Sequence, residues 1–298
     1  MKLKYSDEYR KRINLVQDYI EKNPTKIFTV ENLAQISGLS QYHFHRIFKA
    51  LTQETIYEFV TRTKMEWALG MLLHRLDLSI TDIAYELGYS DSAVFSRSFR
   101  RYYALSPREI RSEDSKNRKV ILKSRIYNED VGEMTVKPIL IDHKIIEPLK
   151  IIYQRIVGSY TQLGSYAEVI QLLFSIALEE NLLEESSMPV TIYHSSPEIS
   201  EVEKQRTTLG LFVKETTKSV VRDDVSLITL DPSEYAVFSF ELNQEEYPSA
   251  WNYIYESWFG ESGYLPRNAP PFEVYKNNPS EHPLGKHIVD IYIPVEPY

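Results

Sequence analysis

The strongest constraint on the fold is an internal repeat of about 50 residues near the start of the chain. The segment NLAQISGLSQYHFHRIFK (32–49) parallels DIAYELGYSDSAVFSRSFR (82–100). A repeat this short predicts two copies of one small supersecondary structure. The matching positions are Ala34 with Ala84, Gly38 with Gly88 and, after one extra residue in the second turn, Phe44, Arg46 and Phe48 with Phe95, Arg97 and Phe99.

Each copy has the pattern of a helix, a tight turn and a second helix. Gly38 and Gly88 stand where a first helix has to end with a positive φ. Ser40 in one copy, and Ser90 or Asp91 in the other, are suited to cap the second helix. The second helices combine an apolar stripe with an opposite polar face. That division is typical of a helix that packs on a core and enters a major groove of DNA.

The segment between the two copies, residues 56–76, predicts one continuous helix. It contains no proline and consists mostly of good helix formers. About 20 helical residues span about 30 Å, and successive major grooves on one face of B-DNA lie about 34 Å apart. One chain is therefore expected to place two recognition helices in adjacent grooves without dimerising.

The double unit, residues 28–111, resembles the DNA-binding domain of the AraC/XylS regulators, and the second copy with its sequel SPREIR resembles the family signature most closely. Two departures occur after the recognition helices. The family usually has glycine where this chain has Gln53 and Ala104, and Thr-Ile replaces Ser-Pro in the first copy. These changes are expected to alter the turns rather than the fold.

The resemblance implies that the second helix of each unit contacts bases and phosphates. Arg46 and Arg97 are the foremost of these residues, because a guanidinium can bind guanine or phosphate through two hydrogen bonds. The alternative for each arginine is a solvated side chain or a bond within the domain. The candidate DNA-binding residues are Gln41, Tyr42, His45 and Arg46 in the first unit and Ser92, Ala93, Val94, Ser96, Arg97 and Arg100 in the second. Arg100, together with Arg101, is expected to touch the DNA backbone.

Charge divides the chain in the same place. Residues 1–112 hold 17 Lys and Arg against 13 Asp and Glu, a net charge of +4, whereas residues 113–298 hold 17 against 29, a net charge of −12. A polyanion is attracted to the first part and repelled by the second. Chance distribution of surface charge is the alternative explanation of this asymmetry.

Composition sets limits on the class of protein. The chain has 298 residues and no cysteine, which suggests two domains and excludes disulfides and thiolate metal sites. No segment approaches the ~18 apolar residues of a membrane span, and the start lacks a signal-peptide pattern, so a cytoplasmic location is expected. His43 and His45 lie two apart on a helix and point to different faces; neither a metal nor a cofactor is predicted.

The second part of the chain contains another repeat, of 82 residues. PVTIYHSSP (189–197) matches PFEVYKNNP (271–279), and strand-like and helix-like runs precede both segments. Each half thus predicts strand, helix, strand and strand, with an additional strand before it (MTVKPILI and VSLITL). The predicted fold is an all-α double helix-turn-helix domain at 1–112, a linker at 113–133, and an α+β domain of two such repeats at 134–298.

The second domain resembles the GyrI-like effector-binding domains. The resemblance rests on the order of its elements, on Gly158 and Tyr160 after an early strand, on the helix WNYIYESW, and on the segments FEVY and DIYIPV. It implies an aromatic pocket with one buried glutamate, here Glu273, that binds lipophilic and often cationic molecules. The candidate effector-binding residues are Glu273, Tyr275, Tyr160, Trp251, Tyr255 and Trp258.

Strand alternation places Glu273 and Tyr275 on one face and Phe272 and Val274 on the other. If the latter two pack on the helices, Glu273 faces the cleft. The alternatives are a solvent-facing glutamate on an edge strand and, for the aromatic residues, ordinary core packing. Trp251 and Trp258 are predicted to share one helical stripe, so helical phase alone does not separate cleft from core.

The sequence therefore predicts a ligand-responsive DNA-binding transcription regulator rather than an enzyme. Its expected partners are an operator in double-stranded DNA, a small-molecule effector and RNA polymerase, with no membrane, and the chain is a monomer or homodimer. Two other functions of the second domain stay open. It could be a hydrolase with Glu273 as general base, or a protein-interaction module.

Overall fold

The computed structural model describes residues 2–112, 136–158, 166–194, 202–220, 222, 224–267 and 269–297. These residues form two compact units: unit 1 contains 2–112 and unit 2 contains the described residues from 136 onward. The predicted linker 113–133 lies outside the described residues, so that boundary stays a prediction. The predicted fold class is confirmed: unit 1 is helical and unit 2 is an antiparallel sheet with helices.

Unit 1 consists of two helix-turn-helix units joined by one long helix. Its helices are α1 (Lys2–Lys22), α2 (Val30–Ser37), α3 (Gln41–Thr52), α4 (Ile56–His74), α5 (Ile80–Glu86), α6 (Ser92–Tyr103) and α7 (Pro107–Arg111). The helix-turn-helix units are α2–α3 and α5–α6, at the predicted places. Helix α1 was not predicted, although Ile13, Val16 and Ile20 form its buried stripe.

The predicted turn chemistry is present in both units. Gly38 and Gly88 have φ of +66° and +78°, the left-handed conformation that glycine adopts without a steric penalty. The Ser40 hydroxyl accepts from the amide of His43, and the Asp91 carboxylate accepts from the amide of Val94 at 2.7 Å. These local interactions start α3 and α6, and in the second unit they select Asp91 over Ser90 as the cap.

Helix α4 contributes to the cores of both helix-turn-helix units. Its first turns supply Ile56 and Phe59 to a core with α1, α2 and α3, and its later turns supply Met65 and Leu69 to a core with α5, α6 and α7. Between the two cores, the buried Arg62 is paired with Glu54 and Glu66. Because this single helix is buried in both cores, it fixes the two helix-turn-helix units relative to each other.

Unit 2 is built on one large antiparallel sheet with helices on one face. The strands run in the order β1-β6-β9-β8-β3-β4-β2-β5, and β7 pairs with β9. The strands are β1 (Leu140–Ile146), β2 (Leu149–Val157), β3 (Pro189–Tyr193), β4 (Arg206–Val213), β5 (Ser226–Leu230), β6 (Ser233–Leu242), β7 (Tyr264–Pro266), β8 (Phe272–Tyr275) and β9 (His287–Pro297). The helices are α8 (Tyr166–Glu179), α9 (Tyr247–Asn252), a π-helical segment (Tyr253–Trp258), α10 (Phe259–Ser262) and three 3₁₀ turns (Val202–Lys204, Gln244–Glu246 and Pro279–Glu281). No helix among the described residues is long and apolar enough to cross a membrane.

The strand order is the same on both sides of the β3–β8 pair. The first half is β3-β4-β2 and the second half is β8-β9-β6, and the strand that precedes each half is exchanged: β1 pairs with β6, and β5 pairs with β2. Strand β1 begins at Leu140, later than the strand predicted from MTVKPILI, and the start of that segment lies outside the described residues. At the centre, Thr191 lies directly opposite Glu273, the residue that matches it in the repeat.

Because the strands that precede the two halves are exchanged, the sheet curls into a roll. Strand β1 lies at one edge, yet only residues 147 and 148 connect it to β2, which neighbours the other edge. Because consecutive Cα atoms are about 3.8 Å apart, such a link spans no more than roughly 12 Å. The two edges therefore converge, and Ile146 of β1 packs in the same core as Leu230 of β5. The face without helices is the interior of this roll.

Candidate functional site

The second helices of the two helix-turn-helix units present their candidate DNA-binding residues away from the cores. Phe44 and Phe48 of α3, and Phe95 and Phe99 of α6, are fully buried. Arg46 is exposed on the other side of α3. The division of each helix into an anchoring face and a polar face is therefore as predicted.

The two helices differ in how far their candidate residues are exposed. In α3, Gln41, His45 and Arg46 are exposed, and the side chain of Tyr42 lies outside the described part of the chain. In α6, the exposed candidates are Ala93, Arg97, Arg100 and Arg101, and the half-buried ones are Ser92, Val94 and Ser96. Their contacts with DNA stay a prediction.

Both recognition helices end at a residue with a left-handed backbone. Gln53 and Ala104, which replace the glycine expected there, each have φ of +62°. The amide of Gln53 donates to the carbonyl of Lys49, and the amide of Ala104 donates to that of Arg100. The non-glycine residues thus keep the glycine turn geometry, with a steric cost that glycine would not incur.

The candidate effector site centres on Glu273. Its side chain has 0% of its surface exposed. Strand β8 lies between β9 and β3, so the alternative of a solvent-facing glutamate on an edge strand is wrong. The carboxylate instead lies inside unit 2, on the face of the sheet that carries the helices.

The expected reason for that placement is wrong. Phe272 and Val274 do not pack on the helices; they lie in the interior of the roll, where Phe272 stacks on Tyr292 at 4.5 Å between ring centroids. Strand alternation correctly predicts that Glu273 and Tyr275 share one face of β8 and that Phe272 and Val274 share the other. It does not predict which of these faces the helices cover. Because the roll buries one face by itself, the helix-covered face receives Glu273 and Tyr275.

Three side chains donate hydrogen bonds to the Glu273 carboxylate. The indole Nε1 of Trp251 donates to Oε1 at 2.8 Å. The hydroxyls of Tyr193 and Tyr275 donate to Oε2 at 2.8 and 2.6 Å. Burial raises the pKa of Glu273, and these three hydrogen bonds oppose that rise. The two tyrosines are equivalent in the repeat, so one carboxylate near the centre collects a hydroxyl from each half.

An outer shell of aromatic side chains surrounds this group. Tyr166 contacts the ring of Tyr275 at 5.5 Å between centroids, and the Tyr247 hydroxyl is 2.6 Å from Nδ1 of His287. Burial, and then the charge of Glu273, raise the pKa of Tyr166 and of Tyr247. Burial lowers the pKa of His287. The shell therefore consists of uncharged aromatic side chains. The carboxyl group of Glu273, which the shell surrounds, is the group that carries a negative charge when it is ionised.

The structure brings together only some of the candidate effector residues. Trp251 and Tyr275 bind Glu273, and Tyr255 stacks on Trp251 at 6.1 Å. The ring of Trp258 contacts Phe238, Phe259 and Tyr264 instead. Tyr160 lies outside the described residues.

The separation of Trp258 from Trp251 has a local cause. Residues Tyr253–Trp258 are π-helical, and a π-helix winds less per residue than an α-helix. Seven residues therefore no longer complete two turns: Trp251 and Trp258 both pack against the same core cluster, as expected, but only Trp251 reaches Glu273.

Sequence reasoning missed Tyr193, Tyr166, Tyr247 and His287. A signal existed for Tyr193, because it matches Tyr275 in the repeat of 82 residues. The other three could be placed only once the helices were packed on the sheet. In the part of the chain that the structure describes, no group of three or more His, Cys, Asp or Glu side chains is positioned to hold a metal ion.

Comparison with known proteins separates the chain into the same two parts. Residues 33–113 match the model of a helix-turn-helix domain, and residues 142–296 match that of the GyrI-like small molecule binding domain. The HTH-type transcriptional activator RhaS of Enterobacter sp. (strain 638) is 37% identical over 100 residues, 34% of this chain and 36% of that protein. The lactose operon transcription activator of Staphylococcus xylosus is 32% identical over 102 residues, again 34% of this chain and 36% of that protein.

The chain thus spans about a third of the length of these curated relatives. Among solved structures, the EcmrR C-terminal domain aligns with a TM-score of 0.45 at 16% identity, over 53% of this chain and 98% of that one. The match to the GyrI-like model covers more than half of the chain. The chain therefore belongs to the proteins with a GyrI-like small-molecule-binding domain, and it carries an AraC-type helix-turn-helix domain before it.

Proposed function

We propose that this protein is a transcription regulator that binds operator DNA through α3 and α6 and responds to a lipophilic cation bound at Glu273. The observation that carries the proposal is a fully buried carboxylate, held by three uncharged donors, in a domain joined to two exposed recognition helices. Each half of the proposal rests on its own physical argument.

The DNA half rests on the rigid spacing of the recognition helices. Helix α4 has 19 residues, a length of about 28 Å, and it is buried in the cores of both helix-turn-helix units. That span is close to the ~34 Å between successive major grooves, so one chain engages both grooves. Arg46 and Arg97 provide the guanidinium groups for guanine edges or phosphates.

The effector half rests on the cost of a buried charge. An ionised carboxylate without solvent is stabilised only by what surrounds it, and here the donors are two phenols and an indole. A ligand cation adds the full opposite charge that these dipoles lack. The surrounding tyrosine and tryptophan rings add cation–π attraction. The chemistry therefore favours an organic cation with apolar substituents over a neutral or anionic ligand.

Ligand binding then alters how unit 1 meets DNA or assists transcription. The ligand shifts the equilibrium toward the state of the protein to which it binds more tightly. The proposed partners are the operator, the effector and RNA polymerase, and no catalytic step is required.

Calorimetry on a matched pair of ligands tests the effector half. Benzyltrimethylammonium and neopentylbenzene have the same shape, and only the first is charged. We expect Glu273→Gln, which keeps the shape of the side chain, to weaken binding of the cation at least about tenfold, or about 1.4 kcal/mol, with little change for the neutral compound. Glu215→Gln, at an exposed glutamate, is the control. Equal affinity of wild type and Glu273→Gln for the cation would place the ligand elsewhere.

Titration of the operator with a fragment of residues 1–112 tests the DNA half. One fragment per site is expected, with a steep negative slope of log affinity against log salt concentration, because each neutralised phosphate releases counterions. A requirement for two fragments per site, or a flat salt response, would contradict the tandem arrangement.

The raised pKa of Glu273 also suits a general base, so a hydrolase is the second candidate function. Purified wild-type protein and Glu273→Gln are incubated with activated aryl esters. Turnover by the wild type that Glu273→Gln abolishes would replace the sensor proposal with an enzymatic one.

A further inference from the structure

Strand β1 leaves one edge of the large sheet open. Among the described residues, β1 pairs with β6 alone. Apolar side chains along it and directly before it are largely exposed: Leu140 by 59% and Ile145 by 78% in the strand, and Ile139 by 73% just before it. Proteins usually protect such an edge, because its backbone groups can accept another strand. Here the amide of His143 donates to Oδ1 of Asp142 at 2.9 Å, a bond within the chain that a second strand would replace.

The opposite edge of the sheet is different. The side chains of β5 alternate between buried and half-buried along its whole length. In β1 only Ile146 is buried, at the point where the roll closes. Exposed apolar surface is thus specific to β1 and is not a general property of the sheet edges.

The sequence of β1, LIDHKII, is complementary to itself. If two copies of β1 pair antiparallel about a twofold axis perpendicular to the sheet, each side chain stays on its own face of the sheet. Because side chains alternate between the faces, a residue then lies opposite either itself or a residue an even number of positions away in the second copy. With the axis at His143, Asp142 lies opposite Lys144 of the second copy, and Ile141 lies opposite Ile145. The twofold axis makes each of these pairs occur twice.

Neighbouring registers are disfavoured by charge. If the axis moves one residue toward the start of the strand, Asp142 faces Asp142 of the second copy. If it moves one residue the other way, Lys144 faces Lys144. Opposite charges across a strand pair stabilise and like charges destabilise, so the pattern selects the register centred on His143.

We propose that β1 is a homodimerisation strand: two copies of this chain pair antiparallel through β1, centred on His143, into one continuous sheet. Within one chain, Lys144 Nζ lies 3.7 Å from Asp142 Oδ2. Across the strand pair, each of these charges gains a second counter-ion only in the register centred on His143. A strand from an unrelated acidic or basic protein would match Asp142 or Lys144 but not both. The self-complementary charges identify the occupant as a second copy.

Charge reversal tests the pairing in the full chain. Sedimentation velocity over a range of protein concentrations gives the dimer dissociation constant for wild type, Asp142→Lys, Lys144→Asp and the double variant. Each single variant places like charges opposite each other twice, and we expect each to weaken dimerisation at least tenfold. The double variant restores opposite charges and is expected to return the dissociation constant to within about threefold of wild type.

Glu185→Lys, at an exposed glutamate in the loop before β3, changes charge away from β1. It is expected to leave dimerisation unchanged, and circular dichroism checks that every variant is folded. A wild type that stays monomeric at roughly 100 μM would overturn the proposal. So would single variants that dimerise like wild type, or a double variant that fails to recover, because recovery requires the two charges to face each other.

Discussion

Replacement of Ala104 by glycine should stabilise unit 1, although the change removes a methyl group and loosens the unfolded chain. Ala104 ends α6 with φ of +62° and ψ of +5°. A left-handed backbone places Cβ too close to the following carbonyl oxygen, which costs about 1–2 kcal/mol in an L-residue. Glycine has no such clash.

The expected gain is the difference between two opposing effects. Ala104→Gly removes about 1–2 kcal/mol of strain from the folded state, and it adds about 0.5–1 kcal/mol of chain entropy to the unfolded state. The net increase in the free energy of unfolding is about 0–1.5 kcal/mol, with a midpoint of about 0.75 kcal/mol. For a domain of about 100 residues the midpoint corresponds to a rise in Tm of roughly 3–6 °C.

Ala104 is a cleaner position for this test than Gln53. Both have φ of +62°, but the side-chain amide of Gln53 donates to the carbonyl of Ala50 at 3.1 Å. Gln53→Gly would lose that bond as well as the strain, so its gain should be smaller.

Thermal and urea unfolding of a fragment of residues 1–112, followed by circular dichroism at 222 nm, measures the effect. Gly70→Ala is the matched control: Gly70 lies inside α4, its added Cβ would meet nothing within 4 Å, and a helix-interior glycine costs about 1 kcal/mol relative to alanine. Ala104→Gly and Gly70→Ala are opposite substitutions, and both should raise the free energy of unfolding. If Ala104→Gly lowers the free energy of unfolding, left-handed strain at this cap is smaller than the entropy that glycine adds to the unfolded chain.

Three further predictions concern other parts of the molecule. Arg46→Ala and Arg97→Ala should each weaken operator binding by about 1–3 kcal/mol in fluorescence anisotropy; an equal loss on a random duplex would assign the arginine to phosphate. Because burial raises the pKa of Glu273 above its usual 4.5, at pH values between the unfolded-state and folded-state pKa the native state holds a proton that the unfolded state has released. The free energy of unfolding in urea should thus fall as pH rises from about 4.5 through the folded-state pKa, and Glu273→Gln should flatten this dependence; a wild-type profile identical to that of the variant would contradict it. Gly88→Ala should destabilise unit 1 by about 1–2 kcal/mol, and by more than Gly38→Ala. The added Cβ at residue 88 would meet a backbone oxygen at 3.2 Å, whereas that at residue 38 would meet the end of the Arg12 side chain at 3.0 Å, which can shift without moving the backbone; equal losses in urea would refute the steric argument.

Features that depend on a few consecutive residues were predictable from the sequence. The turns at Gly38 and Gly88 and the cap at Ser40 follow from local backbone and hydrogen-bond chemistry, which does not change when the chain packs. The same is true of the central helix, predicted at 56–76 and observed as Ile56–His74.

Features that depend on distant segments were not predictable in the same way. The repeat of 82 residues indicated the strands, but not that β1 and β5 exchange partners. The roll that follows from this exchange decides which face of β8 the helices cover. Glu273 was correctly placed in the interior, whereas the side chains that bind it come from three separate elements. Trp258 packs on the same core cluster as Trp251, but the π-helical segment between them turns its ring toward Phe238 and Tyr264.

The exchange of strands also sets the order in which unit 2 can form during synthesis. Leu140 pairs with Ser239, so 99 residues separate the two partners along the chain. At about 5–20 residues per second, β1 leaves the ribosome roughly 5–20 s before β6 exists to receive it. Throughout that interval both edges of β1 and its isoleucines are open to other chains, so the nascent protein is most vulnerable to misassembly while the second half is still being translated.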